Sequence, residues 1–135
     1  MEIEIGFPGG LRVDARVGDM VVSTDQGTAA GGEGSAPSPF QLFLASIGAC
    51  AGFYVLQFCR QRGIPTDGIR LLQRHGTAPG SSMIQRIDLV IEVPPTFPEH
   101  YVRALERVAA QCTVKKHLEQ PPLIQTSTRV LDPRA

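Results

Sequence analysis

Residues 38–63 read SPFQLFLASIGACAGFYVLQFCRQRG, and this stretch decides the fold. Ser38 is a good N-cap and Pro39 suits the first helical position, so a helix starts here. It runs to about Arg62 and stops at Gly63, with Pro65 just beyond. Such a helix is about 36 Å long, against a radius of gyration of roughly 14 Å for a domain of this length. It therefore crosses the whole domain. Its surface is apolar nearly all round, which calls for burial on several faces. One small sheet covers one face only, so a second copy of the chain is expected to cover another. Gly48 and Gly52 stand at a spacing that allows a close helix–helix crossing.

No charged residue lies between Glu33 and Arg60, a length that could span a bilayer. The stretch opens, however, with Gly34-Ser35-Ala36-Pro37, which is loop material, and the helix holds Gln41, Ser46, Cys50 and Gln57. A buried core helix is the expectation, and no membrane contact.

Working outward, residues 1–24 alternate as a β-meander. Ile3 and Ile5 interleave with Glu2 and Glu4, and Leu11, Val13 and Ala15 with Arg12, Asp14 and Arg16. Turns fall at Phe7-Pro8-Gly9-Gly10 and Gly18-Asp19, before a third strand at Met20–Thr24. Residues 25–37, rich in Gly, Ala, Ser and Pro, form a loop without periodicity. Beyond the helix, Ile69–Thr77 and Met83–Val93 read as two strands, with a bulge near Arg86 restoring register in the second. Thr96-Phe97-Pro98-Glu99 has the form of a capping box. It opens a helix on which Val102, Leu105, Val108, Ala109 and Cys112 share a face. Leu123–Val130 is the final strand. The order βββ-α-ββ-α-β makes one α+β domain over residues 1–135, with antiparallel sheets packed on the long central helix.

The chain has 135 residues and a formal net charge of zero, with no block of like charge. No basic excess points to nucleic acid. The start, Met1-Glu2-Ile3-Glu4, lacks the basic and apolar regions of a secretory signal, so the cytoplasm is the expected location. Three widely spaced cysteines without CxxC spacing argue against a disulfide scaffold and a structural zinc site, and no metal is expected.

The cysteines hold the chemistry. Cys50 sits midway along the long helix among small residues; Cys112 is read at the end of the second helix, followed by Lys115, Lys116 and His117. Cys59 lies about 180° round the helix from Cys50 and cannot share its site, so it reads as a core residue. A reactive thiol needs a cation or a helix N-terminus beside it. Arg12 and Arg16 are available on the early strands, although their local pattern is that of ordinary solvent-facing charges. Phe40, Phe43, Phe53 and Tyr54 could line an apolar pocket, with plain core packing at least as good a reading of each.

The run Ser38-Pro39-Phe40-Gln41-Leu42-Phe43-Leu44-Ala45-Ser46-Ile47-Gly48-Ala49-Cys50 resembles the first cysteine motif of the OsmC/Ohr family, the osmotically inducible and organic hydroperoxide resistance proteins. Cys112-Thr113-Val114-Lys115-Lys116-His117-Leu118 resembles its second motif, with Thr113 in place of the usual Pro. Thr24-Asp25-Gln26 through Gly31-Gly32 is similar to the less-characterised OsmC-like branch. The resemblance covers essentially the whole chain. It implies an OsmC-like fold, an intertwined homodimer with sites at the subunit interface, and a thiol peroxidase without cofactor. In it Cys50 is peroxidatic and Cys112 resolving, organic hydroperoxides are the substrates, and a dithiol of the dihydrolipoyl type is the reductant. The motifs do not assign the activating Arg; by position Arg12, after the Gly-Gly turn, comes first and Arg16, one strand-face repeat on, second. The family's usual Glu, nine or ten residues before the first cysteine, is replaced here: those positions are Gln41 and Phe40. Gln41 can accept a hydrogen bond from Arg but gives no charge-assisted pairing. The second reading is therefore a catalytically weak redox sensor or apolar-ligand binder on the same fold. No GxSxG and no paired carboxylates support hydrolysis.

Overall fold

The computed structural model describes residues 1–134. Three antiparallel strands come first: β1 (Ile3–Gly9), β2 (Arg12–Val17) and β3 (Met20–Thr24), in sheet order β1-β2-β3. Ile5 pairs with Ala15 and Ala15 with Val22. Phe7 and Pro8, expected in the turn, belong to β1, where an extra residue between Gly6 and Gly9 bulges the strand. The turn itself is Gly10-Leu11.

Helix α1 spans Pro39–Gln61. Ser38 Oγ accepts from the N–H of Gln41, and Pro39 occupies the first turn, as its sequence predicts. At the other end Gly63 adopts φ +64°, a left-handed geometry suited to glycine. The Gly63 N–H donates to Arg60 O at 3.3 Å and the Ile64 N–H to Cys59 O at 2.9 Å, which is a full Schellman stop. Ile64 also packs against the core, so the stop is locked by an apolar contact.

Strands β4 (Arg70–Thr77) and β5 (Ile84–Glu92) form a separate two-stranded antiparallel sheet. Gly76 faces Arg86 and Thr77 faces Ile84, so Gln85 is the extra residue of a bulge beside Arg86, where the interrupted alternation placed it. The fold is thus α+β with antiparallel sheets, as expected, divided into one of three strands and one of two.

Three expectations fail in the last third. Thr96 and Glu99 do not close a capping box: Phe97 is buried in the core, Pro98 follows, and only a 3-10 turn (Glu99–Tyr101) leads into α2 (Val102–Ala109). Burial of Phe97 sets the path of the chain here, over the local cap signal. The second helix also ends sooner than its periodicity suggests. Cys112 turns out of it with φ −65° and ψ 150° and caps a third helix, α3 (Thr113–Glu119). Finally, Leu123–Val130 forms no strand. A strand needs a ladder partner, and this segment pairs with neither sheet.

The core is built by α1, α2 and β4–β5. Ala51, Val55, Phe58 and Cys59 of α1 meet Phe97, Leu105 and Ala109, with Leu71, Leu89 and Ile91 packed around them. None of these residues comes from β1–β3. By length and composition α1 is apolar enough to cross a membrane. Its stripe Ile47, Ala51, Val55 and Phe58 is instead buried at i, i+4, i+8 and i+11. Each of the larger side chains contributes roughly 1.5–3 kcal/mol by leaving water.

Candidate functional site

On α1, Ile47, Cys50 and Tyr54 follow one stripe at i, i+3 and i+7. Helix α3 packs against α1. The Tyr54 hydroxyl lies 3.1 Å from Thr113 Oγ1, within hydrogen-bond reach. Ile47 shares a cavity wall with Cys112. Cys50 therefore stands between two residues that both border the Cys112 segment. Cys50 is half-buried, whereas Cys112 is only 1% exposed.

Cys112 does not end α2, as its position in the periodicity suggested; it begins α3. Its Sγ accepts from the N–H of Lys115 at 3.4 Å, and its carbonyl accepts from the N–H of Lys116 at 3.1 Å. Sulfur and backbone are thus both tied into the first turn of α3. Lys115 reaches forward to Glu119 at 3.9 Å, an exposed pair. Cys59 faces the opposite way, at 0% exposure in the core. Burial raises its pKa, against a smaller opposing pull from Arg62, so the thiol is held protonated and inert.

An apolar cavity of about 510 Å³ lies between β5, α2 and α3. Ile87, Ile91, Leu105, Cys112 and Leu118 are among its walls, with Glu106 and Lys115 as its charged groups. The aromatic residues singled out from sequence do not line it. Phe40 and Phe43 stack on each other at 5.8 Å on the exposed start of α1. Phe53 is exposed and meets Tyr54 edge-on, also at 5.8 Å. Tyr54 also reaches the Cys112 segment, through Thr113.

The other proposed site residues are engaged elsewhere. Gln41 Oε1 accepts from the N–H of Ser38 at 2.9 Å, completing the capping box of α1. Its carbonyl is committed to the helix end. Arg12 lies 3.9 Å from Asp14 on its own strand, and its Nε is buried with no hydrogen-bond partner among the described residues. Arg16 is exposed, opposite Glu4 on β1 and Val21 on β3.

Two further arrangements were invisible in the sequence. Asp25, buried and followed by the glycine-rich loop, ties that loop shut. Ser35 Oγ donates to it at 2.6 Å, Ser35 N–H at 3.0 Å and Gln26 N–H at 2.7 Å. These bonds, the Ser35 hydroxyl foremost, hold the carboxyl at a pKa of about 2. Gly32 backs the same knot, since a β-carbon there would overlap Gln26 O. The second is Gln73 on β4, whose Nε2 donates to Leu44 O of α1 at 2.9 Å. Its amide occupies the space a side chain at Gly48 would need. Gly48 thus admits a strand side chain, not a second helix, whereas Gly52 faces open space.

A family model described as OsmC-like protein matches residues 32–127, so the chain belongs to the OsmC-like protein family. No curated protein matches it. Among solved structures it is similar to an osmotic stress and detoxification response protein from Psychrobacter arcticus, at TM-score 0.70 and 20% identity, over 84% of this chain and 85% of that one. An OsmC-like protein from Mycoplasma pneumoniae aligns at TM-score 0.65 and 13% identity, covering 89% and 87%. An organic hydroperoxide resistance protein from Legionella pneumophila aligns at TM-score 0.53 and 17% identity, covering 87% and 89%. At these identities the likeness establishes the OsmC-like fold.

Proposed function

We propose that this chain reduces organic hydroperoxides by a two-cysteine mechanism, as a cytoplasmic homodimer. Family membership and the hydroperoxide-resistance name of the Legionella structure support a peroxide-related redox role. The observation that carries the finer reading is the placement of Cys50 between Ile47 and Tyr54, both of which border the Cys112 segment. The Cys50 thiolate attacks the peroxide, the O–O bond breaks, the alcohol leaves, and Cys50 becomes a sulfenic acid. Cys112 then attacks that sulfur, water leaves, and an intramolecular disulfide forms. A dithiol of the dihydrolipoyl type restores both thiols by exchange. No cofactor takes part.

The dimer is supported by what one chain leaves uncovered. Apolar side chains of β1 and β3, the outer face of α1 and the C-terminal segment are all exposed. The partnerless Arg12 Nε supports a role for Arg12 at the interface, as the cation facing Cys50 there, with Arg16 second. The test is peroxide consumption with cumene hydroperoxide and dihydrolipoamide, by wild type, Cys50→Ser and Cys112→Ser. Turnover abolished by Cys50→Ser, with the organic peroxide preferred over hydrogen peroxide, is the expected result.

One observation favours a second reading, a redox sensor or apolar-ligand binder with little turnover. Gln41 Oε1 already accepts from the N–H of Ser38 and carries no charge, so it holds an arginine less firmly than the family's usual Glu. An inactive wild type would select this reading, above all if Gln41→Glu gained activity.

A further inference from the structure

The two cysteine-bearing segments meet through one polar pair, the hydroxyls of Tyr54 and Thr113, 59 residues apart in sequence. Tyr54 lies one helical turn beyond Cys50 on the same face of α1. Thr113 directly follows Cys112 and opens α3. The Cys112 sulfur and carbonyl are both bonded into the turn that Thr113 begins, to Lys115 N–H and Lys116 N–H. Whatever fixes Thr113 therefore fixes Cys112 as well. On its other side the Tyr54 ring meets Phe53 edge-on, with the planes at 87°.

We propose that the Tyr54–Thr113 hydroxyl pair is a positioning latch that sets how readily the Cys112 thiol reaches Cys50. The proposal rests on the two-cysteine reading above. It concerns the second half of the cycle, disulfide closure, and leaves attack on the peroxide to Cys50. Neither latch residue touches the reacting atoms; both act by holding α3 against α1.

The test is an equilibrium, so it needs no turnover. The purified protein is equilibrated in mixtures of oxidised and reduced lipoamide, quenched by alkylation, and read by intact and peptide mass. Closing the Cys50–Cys112 bond releases two electrons and two protons. The lipoamide disulfide takes up both and becomes the dithiol. Tyr54→Phe and Thr113→Val are each expected to lower the equilibrium constant for closure about fivefold, the scale of one hydrogen bond. For a two-electron couple that is a shift of about 20 mV. The double variant should lose no more than either single one, because one bond joins the two residues. Thr113→Ser keeps the hydroxyl and should keep the wild-type constant.

Variants that match wild type, losses that add in the double variant, or a Thr113→Ser as weak as Thr113→Val would each overturn the latch while leaving the two-cysteine mechanism standing. A wild type that forms no Cys50–Cys112 disulfide in the most oxidising mixture overturns both.

Discussion

The N-terminal sheet and the helical unit that follows it are made from similar apolar content, yet they use it in opposite ways. In the unit from α1 to α3, Ala51, Val55, Phe58 and Leu105 are sealed from water. In β1–β3, Ile3, Ile5, Met20 and Val21 are exposed, and Phe7 is 83% exposed. The sheet contributes nothing to the buried cluster. A three-stranded sheet needs an apolar face packed against something to be stable. The helical unit has that packing within the chain, whereas the sheet has a ladder and no core. One chain therefore builds a buried core from one face of its helices, whereas its first sheet and the outer face of α1 keep their apolar side chains exposed.

The contrast can be broken first where it is sharpest. Leu105→Ala empties the centre of the helical core and should cost about 3 kcal/mol, read as a fall in the denaturation midpoint. An unchanged midpoint would place the true core elsewhere. Next comes the loop that joins the two regions. Gly32→Ala pushes a β-carbon into the backbone at Gln26 O, which cannot swing aside, and should cost about 2 kcal/mol.

The same loop gives a pH dependence with a definite sign. Asp25 is held at a pKa of about 2, below its ordinary value of 3.8. Its ionised form is therefore favoured by folding. That contribution is fully present above pH 4 and disappears as pH falls through about 2. Asp25→Asn should flatten this part of the acid-unfolding curve, and an unaltered curve would remove Asp25 from the account.

A smaller effect addresses the sheet directly. Ile5→Ala, on an exposed strand, should cost about 1 kcal/mol only where a second copy covers the sheet. Its effect on the thermal midpoint should then depend on protein concentration, and sedimentation should follow the same dependence. A small, concentration-independent change would mean that the sheet stands alone. The least effect belongs to the surface of β5. Arg86 pairs with Asp88 at 2.8 Å, but both are exposed, so Arg86→Gln should leave the denaturation midpoint essentially unchanged. A larger loss would mean that this ion pair is covered in the assembled protein.

Local signals were legible wherever the physics is local. Ser38, Pro39 and Gly63 bound α1 because caps act within one turn of backbone. The bulge at Gln85 followed from an alternation that broke and resumed within a few residues. The two cysteine motifs carry the family resemblance in contiguous residues, 38–50 and 112–118. Gln41, by contrast, had two possible donors to serve, an arginine and the helix end, and only the structure shows its Oε1 accepting from the N–H of Ser38.

By itself the sequence determined that an apolar helix with strong caps runs the length of the domain, that strands flank it in antiparallel pairs, and that its middle holds a cysteine. Tertiary structure alone decided where α2 gives way to α3, since neither Gly nor Pro marks the break. There the burial of Cys112 and the contact of Thr113 with Tyr54 accompany the end of a helix that the periodicity would have continued. It also decided that Phe97 overrides the cap at Thr96, and that Leu123–Val130 stays unpaired. A cap acts within one turn of chain, whereas burial and strand pairing depend on what residues distant in sequence bring alongside.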